Sequence, residues 1–308
     1  AAAAEVQAAQ LRKKRVGSFL VLGDWGWDAA SHGNLFSRNC QSAIAEKMLG
    51  KMHDLGDVKF IVNVGDSFYP SGVSGRDDPQ WDSKWRDVYP EKLRSVPWYS
   101  VYGNHDYHVD PGVCSWNPTD GAQINSDIHD LSRFYMPGYN WFREHPELNL
   151  EVVALDLNKF MDGWNRELDY SHHQFWDCQW TACPEACKAI AEARATEAFD
   201  LFGKRLEKTK QKNMLVFSHY PTDYFSTVPQ FVSNLSRPEK HITYFGGHRH
   251  NTDKTTVAST APNKNWCVGG GGGWSCDGHE QGFVVGEIYE DGSISTYEVL
   301  VDWRVCCP

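Results

Sequence analysis

Phe60-Ile61-Val62-Asn63-Val64-Gly65-Asp66-Ser67-Phe68-Tyr69 is an apolar run that breaks at Gly-Asp and runs on into Pro70-Ser71-Gly72. A short apolar, β-branched stretch closed by Pro, Ser and Gly reads as a buried strand delivering into a loop. Asp66 therefore stands where the strand ends. A carboxylate in that place can serve two metal ions at once, through one oxygen or both. The tyrosine three residues on can, as phenolate, hold a hard trivalent ion. Taken alone, Asp-x-x-Tyr is equally a helix cap or a strand-end turn. Its meaning depends on whether the rest of the chain supplies matching clusters.

Four more are found by working outward. Val16 to Leu22 is a β-prone run ending in Gly23-Asp24-Trp25-Gly26. Between it and Asp66, residues Ala43, Ile44, Met48, Leu49, Met52 and Leu55 recur at helical spacing within Asn39 to Leu55. Strand, helix and strand with a short return form a βαβ unit, so the first two strands are expected to be parallel. Both aspartates then emerge at strand carboxyl ends, where open α/β sheets build their sites. A helical stretch carrying Trp81, Trp85 and Val88 stops at Pro90, and Pro97 to Tyr102 delivers Gly103-Asn104-His105-Asp106. Residues 109–141, rich in Pro, Gly, Asn and Asp, read as a long surface loop. Leu150 to Leu155 is a buried strand, and Ala186 to Lys210 a helix. Met214 to Phe217 delivers Ser218-His219-Tyr220-Pro221, and Ile242 to Phe245 delivers Gly246-Gly247-His248-Arg249-His250. Gly282 to Ile288 and Ser293 to Leu300 are joined by Glu290-Asp291-Gly292, a hairpin signal. There is no internal repeat. The two halves are expected to stack as two sheets around one site, in a single domain over 16–308 behind a flexible arm at 1–15.

Composition bounds the function. The chain has 308 residues and a formal charge of -10, which argues against nucleic acid as a partner because phosphate-backbone binding needs clustered Lys and Arg. No apolar stretch approaches the roughly 20 residues that cross a bilayer. Nine cysteines without metal-type CxxC pairs point to disulfides and an oxidising compartment. Cys267 and Cys276 flank the glycine run 269–273 and are candidates to bridge its ends. An odd count leaves one thiol free, or paired with a protein partner. Asn234-Leu235-Ser236 is an acceptor tripeptide for glycosylation, and a secreted or lumenal location is expected. The glycine run itself is no phosphate loop, because no Lys-Ser or Lys-Thr follows it.

Singly, each strand-end residue has an ordinary structural role. Together, Asp24, Asp66, Tyr69, Asn104, His105, His219, His248 and His250 make a shared site. Carboxylates, an amide oxygen and imidazoles without thiolate suit Fe, Zn or Mn. So many donors are too many for one ion and right for two sharing a bridging carboxylate, a pairing that clamps in-line displacement at phosphorus.

The five clusters, in order, resemble the motifs of the calcineurin-like metallophosphoesterases and, within them, of the purple acid phosphatases of the small tartrate-resistant type. The likeness runs from about residue 16 to 300. It implies an α/β fold, a four-layer α/β/β/α sandwich of two mixed β-sheets with a dinuclear metal site at strand carboxyl ends. It implies that Asp24, Tyr69 and His250 bind Fe(III), that Asn104, His219 and His248 bind a divalent Fe, Zn or Mn, and that Asp66 bridges them. It further implies hydrolysis of a small phosphate monoester by metal-activated water, with Asn104 and His105 contacting the phosphate and His105 protonating the leaving group. Relatives usually carry another histidine about nine residues past the fourth motif. Here Pro221 to Pro229 has none, and Val228 falls near that place. His108 or Tyr107 are the candidates to compensate. The stretch with Cys178, Cys183 and Cys187 has no obvious counterpart and reads as a lid or partner surface. Trp27, Trp116 and Trp274 are candidate cleft residues. The competing reading is a phosphatase-like scaffold that anchors or assembles other components with little catalysis.

Overall fold

Alternation along the strands decides the layering. The structure, a computed structural model, describes residues 14–27, 39–124, 134–160, 176–254, 264–274 and 278–307. In β1 (Arg15–Leu22), Leu20 and Leu22 face helix α1 (Gln41–Leu55), whose Ile44, Met48 and Met52 pack on them. Phe19 and Val21 point the other way, into a second cluster shared with Leu215, Phe217 and Phe245. Each of these strands is thus buried on both faces, which is why it reads as an uninterrupted apolar run.

The first sheet continues through β2 (Val58–Asn63) and, after a π-helical turn at Trp81–Arg86 and the short α2 (Glu91–Arg94), through β3 (Trp98–Ser100) and β4 (Phe134–Tyr135). The second sheet begins with β5 (Trp141–His145) and β6 (Leu150–Ala154). Helix α3 (Pro184–Lys208), β7 (Asn213–Phe217), α4 (Pro229–Leu235), β8 (His241–Gly246), β9 (Thr252–Asp253) and β10 (Lys264–Val268) complete it. Strands β11 (Gly282–Tyr289) and β12 (Ile294–Leu300) then return to the first sheet, ahead of a last turn of helix, α5 (Trp303–Cys306).

Two six-stranded mixed sheets result, ordered β12-β11-β1-β2-β3-β4 and β5-β6-β7-β8-β10-β9. The expected βαβ start is present, with β1 and β2 parallel and Leu20 opposite Ile61. The expected hairpin is β11–β12. Phe19, stacked on its neighbour Phe60 in the same sheet at 5.3 Å, reaches across to Phe245 of the second sheet and meets it edge-on at 6.3 Å. Helix α1 covers the outer face of the first sheet and α3 that of the second, where Ala191, Ala195 and Phe202 join Val153, Met214 and Val216. This is the four-layer order.

Several expectations are corrected. Arg15, expected in the arm, opens β1, and its guanidinium donates to Asp57 at 2.9 Å and to the Leu55 carbonyl at 2.6 Å. Residues 1–13 lie outside the described part. The stretch 109–141 is no free surface loop where it is described. Asp110 accepts hydrogen bonds from the backbone N–H of Gly112 and Ala122, folding the segment back so that Val113, Met136 and Tyr139 are buried.

The bridges formed are Cys40–Cys306, Cys114–Cys183 and Cys178–Cys187, and Cys307 is also disulfide-bonded. Cys267 is not bridged to Cys276, which lies outside the described residues. Its thiol is free, buried beneath the site at 1% exposure, and 3.7 Å from the Gly247 carbonyl. Burial pushes its pKa up to about 12. So placed, Cys267 is closed to a disulfide with another chain. Among the described residues, no helix is long and apolar enough to cross a membrane.

Candidate metal centre

Strand carboxyl ends from both sheets converge on one point. From the first sheet come Asp24, just past β1, Asp66 and Tyr69, past β2, and Asn104, past β3. From the second come His219, past β7, and His248 and His250, past β8. The turns that deliver them are tight. Asp24, Asp66, His248 and His250 all have positive φ, at 57°, 49°, 68° and 47°. This left-handed conformation is uncommon for residues with a side chain and costs on the order of 1–3 kcal/mol each. It persists where surrounding contacts fix it, and here those contacts are dense.

Glycines admit the carboxylates. A Cβ on Gly103 would sit 2.1 Å from Asp66 Oδ1, and one on Gly247 would sit 2.3 Å from Asp24 Oδ2. No real Cβ tolerates such distances, so these positions must be glycine for the acids to occupy their places. Polar groups behind the turns hold the rest. Asn63 accepts from Trp25 Nε1 at 2.9 Å and donates to Ser67 Oγ at 2.8 Å. Asp106 accepts from Ser67 N at 3.1 Å and Gly103 N at 2.9 Å, tying the second cluster to the third. Asp66 Oδ1 accepts the His105 N–H at 2.9 Å, and both Asp24 oxygens accept the His248 N–H at 3.1 Å.

The seven expected donors then fall into two overlapping groups. Tyr69 Oη lies 3.2 Å from Asp24 Oδ1 and 3.4 Å from His250 Nε2, with His250 Nε2 3.7 Å from Asp24 Oδ1. Asn104 Oδ1 lies 3.0 Å from both His219 Nε2 and His248 Nδ1. Asp66 Oδ2 belongs to both, 3.1 Å from Tyr69 Oη and 3.3 Å from His219 Nε2. His219 Nδ1 is 3.0 Å from the Val64 carbonyl, which suits an Nδ1–H and turns Nε2 inward toward the other donors. Among the described residues, Asp66, His219 and His248 bring one ligand atom each within 4.8 Å of one another, close enough to share a cation.

Without a cation, this set is electrostatically frustrated. Burial, opposed by His219 and aided by Asp66, pushes the Asp24 carboxyl up to about 7. Burial also works against Asp66, but the positive charges of His219 and His105 outweigh it and hold that carboxyl well below the usual range. For His219, burial is outweighed by Asp66 and Asp24, which raise it to about 9. Burial and His219 together hold His248 well below the usual imidazole range. Protons are thus being asked to neutralise two buried carboxylates, work that metal cations do better. Oxygen and imidazole donors in two sets sharing one carboxylate fit a pair of hard or borderline ions.

Around the donors, Trp274 stacks on His250 at 5.7 Å and lies 5.6 Å from Tyr69 and 5.8 Å from His105. It is a wall of the site, whereas Trp116 is 69% exposed. His105 places Nδ1 2.7 Å from the Pro70 carbonyl, leaving Nε2 for other work. Tyr107 does not compensate for the absent histidine, since its hydroxyl is buried and committed to Asp156 at 2.6 Å and Arg194 at 3.1 Å. The loop 221–229 presents Tyr224 to His248 instead, edge-on at 5.4 Å. Sequence reading left Asp106 without a role although it stands within the third cluster. It also passed over Asp177, whose one signal is its place beside Cys178.

Residues 17–252 match the family described as calcineurin-like phosphoesterase. The chain belongs to that family. It is similar to tartrate-resistant acid phosphatase type 5 of Sus scrofa, 30% identical over 245 residues, which is 76% of this chain and 64% of that protein. It is similar also to purple acid phosphatase 17 of Arabidopsis thaliana, 37% identical over 159 residues, 52% of this chain and 41% of the relative. The matches span less than two thirds of these curated relatives' own length. Among solved structures, the fold resembles "GAP50 the anchor in the inner membrane complex of Plasmodium", with a TM-score of 0.60 at 17% identity, covering 94% of this chain and 90% of that one. Membership and the purple acid phosphatase relatives imply a binuclear metal centre.

Proposed function

We propose that the chain is an acid phosphatase, hydrolysing small phosphate monoesters at a centre of Fe(III) and a divalent Fe, Zn or Mn. One observation carries this reading: Asp66 Oδ2 is common to two donor sets, one with a phenol and the other with an amide oxygen and two imidazoles. In this reading, Asp24, Tyr69 and His250 hold the ferric ion, Asn104, His219 and His248 the divalent one, and Asp66 both. When bound, the ions would supply Lewis-acid charge for the phosphoryl group and would lower the pKa of the attacking water. The chain's own residues do the rest. Asn104 and His105 orient the phosphate. His105, with Nδ1 bound to the Pro70 carbonyl, has Nε2 available to deliver a proton to the departing alkoxide, help worth roughly 10²–10⁴-fold. Trp274 shields that side from bulk water. The disulfides support a secreted or lumenal setting.

The test is a visible absorption spectrum of the purified protein with metal analysis on the same sample. A broad visible band that bleaches on iron removal, at about two metals per chain, is expected from a Tyr69–Fe(III) bond. A colourless protein holding two other metals would keep the hydrolase and discard the ferric site. A chain that stays empty after repeated loading would favour the second reading, an anchoring or assembly role. That reading draws support from the fold neighbour described as an anchor and from the lack of an imidazole in 221–229.

A further inference from the structure

Beside His105, but outside the donor sets, stands a pair that the chemistry so far leaves unused. His108 Nε2 lies 2.7 Å from Asp177 Oδ1, with side chains only 12% and 9% exposed. The His108 ring is 5.2 Å from that of His105. A nearly buried imidazole–carboxylate contact is weak evidence for stability, because desolvation offsets much of the attraction. Its address is more informative. Both residues lie on arms that the Cys114–Cys183 bridge ties together, Cys114 downstream of His108 and Cys183 downstream of Asp177. Cys178, next to Asp177, is bridged to Cys187 at the start of α3. Two disulfides therefore fix a carboxylate that reaches no metal donor of the site but holds the imidazole packed on His105. The His105 ring is in turn bounded by Tyr69 at 4.7 Å, by Trp274 and by His108. Of these neighbours, His108 is held by a carboxylate, that of Asp177.

We propose that Asp177 and His108 form a positioning pair that aims His105 at the leaving-group oxygen, an inference that rests on the phosphomonoesterase reading above. The disulfide-stapled segment 176–187 is then a brace for the proton donor. Proton delivery matters most when the departing alkoxide is a poor leaving group, so the pair's contribution depends on the ester. Misplacement of a catalytic group by about 1 Å can cost as much as 10²-fold.

The experiment compares wild type with His108→Ala, Asp177→Asn and the double variant Cys178→Ser/Cys187→Ser, using the full metal-loaded chain. The substrates are phosphate monoesters graded from 4-nitrophenyl phosphate to simple alkyl phosphates. Expected is a fall in kcat of about tenfold or more on alkyl esters, less than about twofold on 4-nitrophenyl phosphate, and unchanged KM. In the zinc-loaded protein, the His105 ring should give one sharp set of ¹⁵N resonances in wild type and broadened or doubled ones in His108→Ala, where the ring loses a packing neighbour. Affinity for inorganic phosphate, measured by calorimetry, should be the same in all. An equal loss on every ester, a lowered phosphate affinity, or unaltered His105 ring resonances would each overturn the pair's role while leaving the phosphatase reading in place. A wild-type chain that holds two metals and phosphate yet hydrolyses no ester would overturn both.

Discussion

Asp66 is the residue on which the two donor groups depend, and its substitution is the sharpest test at this scale. Asp66→Asn removes the charge both ions would share, so the variant is expected to retain neither metal, nor any hydrolysis, when metal content and turnover are measured together. Gly103→Ala is subtler. The added methyl would lie 2.1 Å from Asp66 Oδ1 and 2.3 Å from Asp66 N, so the carboxylate must shift. A stability loss of about 1–3 kcal/mol is expected from overpacking, with a fall in bound metal visible by elemental analysis of the folded protein. These residues were legible in the sequence because ligand chemistry is written in residue type and place. Each donor is a polar residue at the end of an apolar run. The His108–Asp177 contact was not legible, because it joins distant segments and depends on where a disulfide-rich insert packs.

At the scale of the element, α1 shows how far pattern reading reaches. Its apolar spacing marked the helix from two residues before its start to its last residue, Leu55, after which Gly56 adopts φ 70° and caps it through a bond to the Met52 carbonyl. Within it, Gly50 is exposed, and a Cβ there would meet nothing within 4 Å. Gly50→Ala is therefore expected to stabilise the fold by roughly 0.5–1 kcal/mol, by helix propensity and reduced freedom of the unfolded chain, with metal content unchanged. Denaturant unfolding would measure it, and a destabilised variant would mean that α1 packs differently. The segment 109–141 escaped pattern reading for a clear reason. Its order comes from side-chain acceptors such as Asp110 and from the Cys114–Cys183 bridge, not from periodicity.

Across the whole molecule, the two sheets each supply part of one site, so neither half makes a complete donor set alone. The fold class could be inferred because buried parallel strands read as continuous apolar runs. The pairing of cysteines could not, since connectivity is a property of the packed chain. Cys40–Cys306 spans 266 residues and ties the start of α1 to the last helical turn. Replacing both by serine is expected to lower stability by about 2–4 kcal/mol while metal content stays at the wild-type value, because the bridge contributes no donor. Equal stability in thermal and denaturant unfolding would show that packing alone closes the first sheet.

The first sheet is closed in an unusual order. Strand β1, which delivers Asp24, has β2 on one side and β11 on the other. One neighbour is made soon after it and the other some 270 residues later, as the pairing of Phe19 with Gly286 shows. On the ribosome, β1 must therefore wait half-paired until β11 has emerged, and the last donor, His250, emerges before β11 does. The whole donor set is thus outside the ribosome before the sheet that carries Asp24 is closed, and protection of that waiting edge falls to whatever attends it during translation.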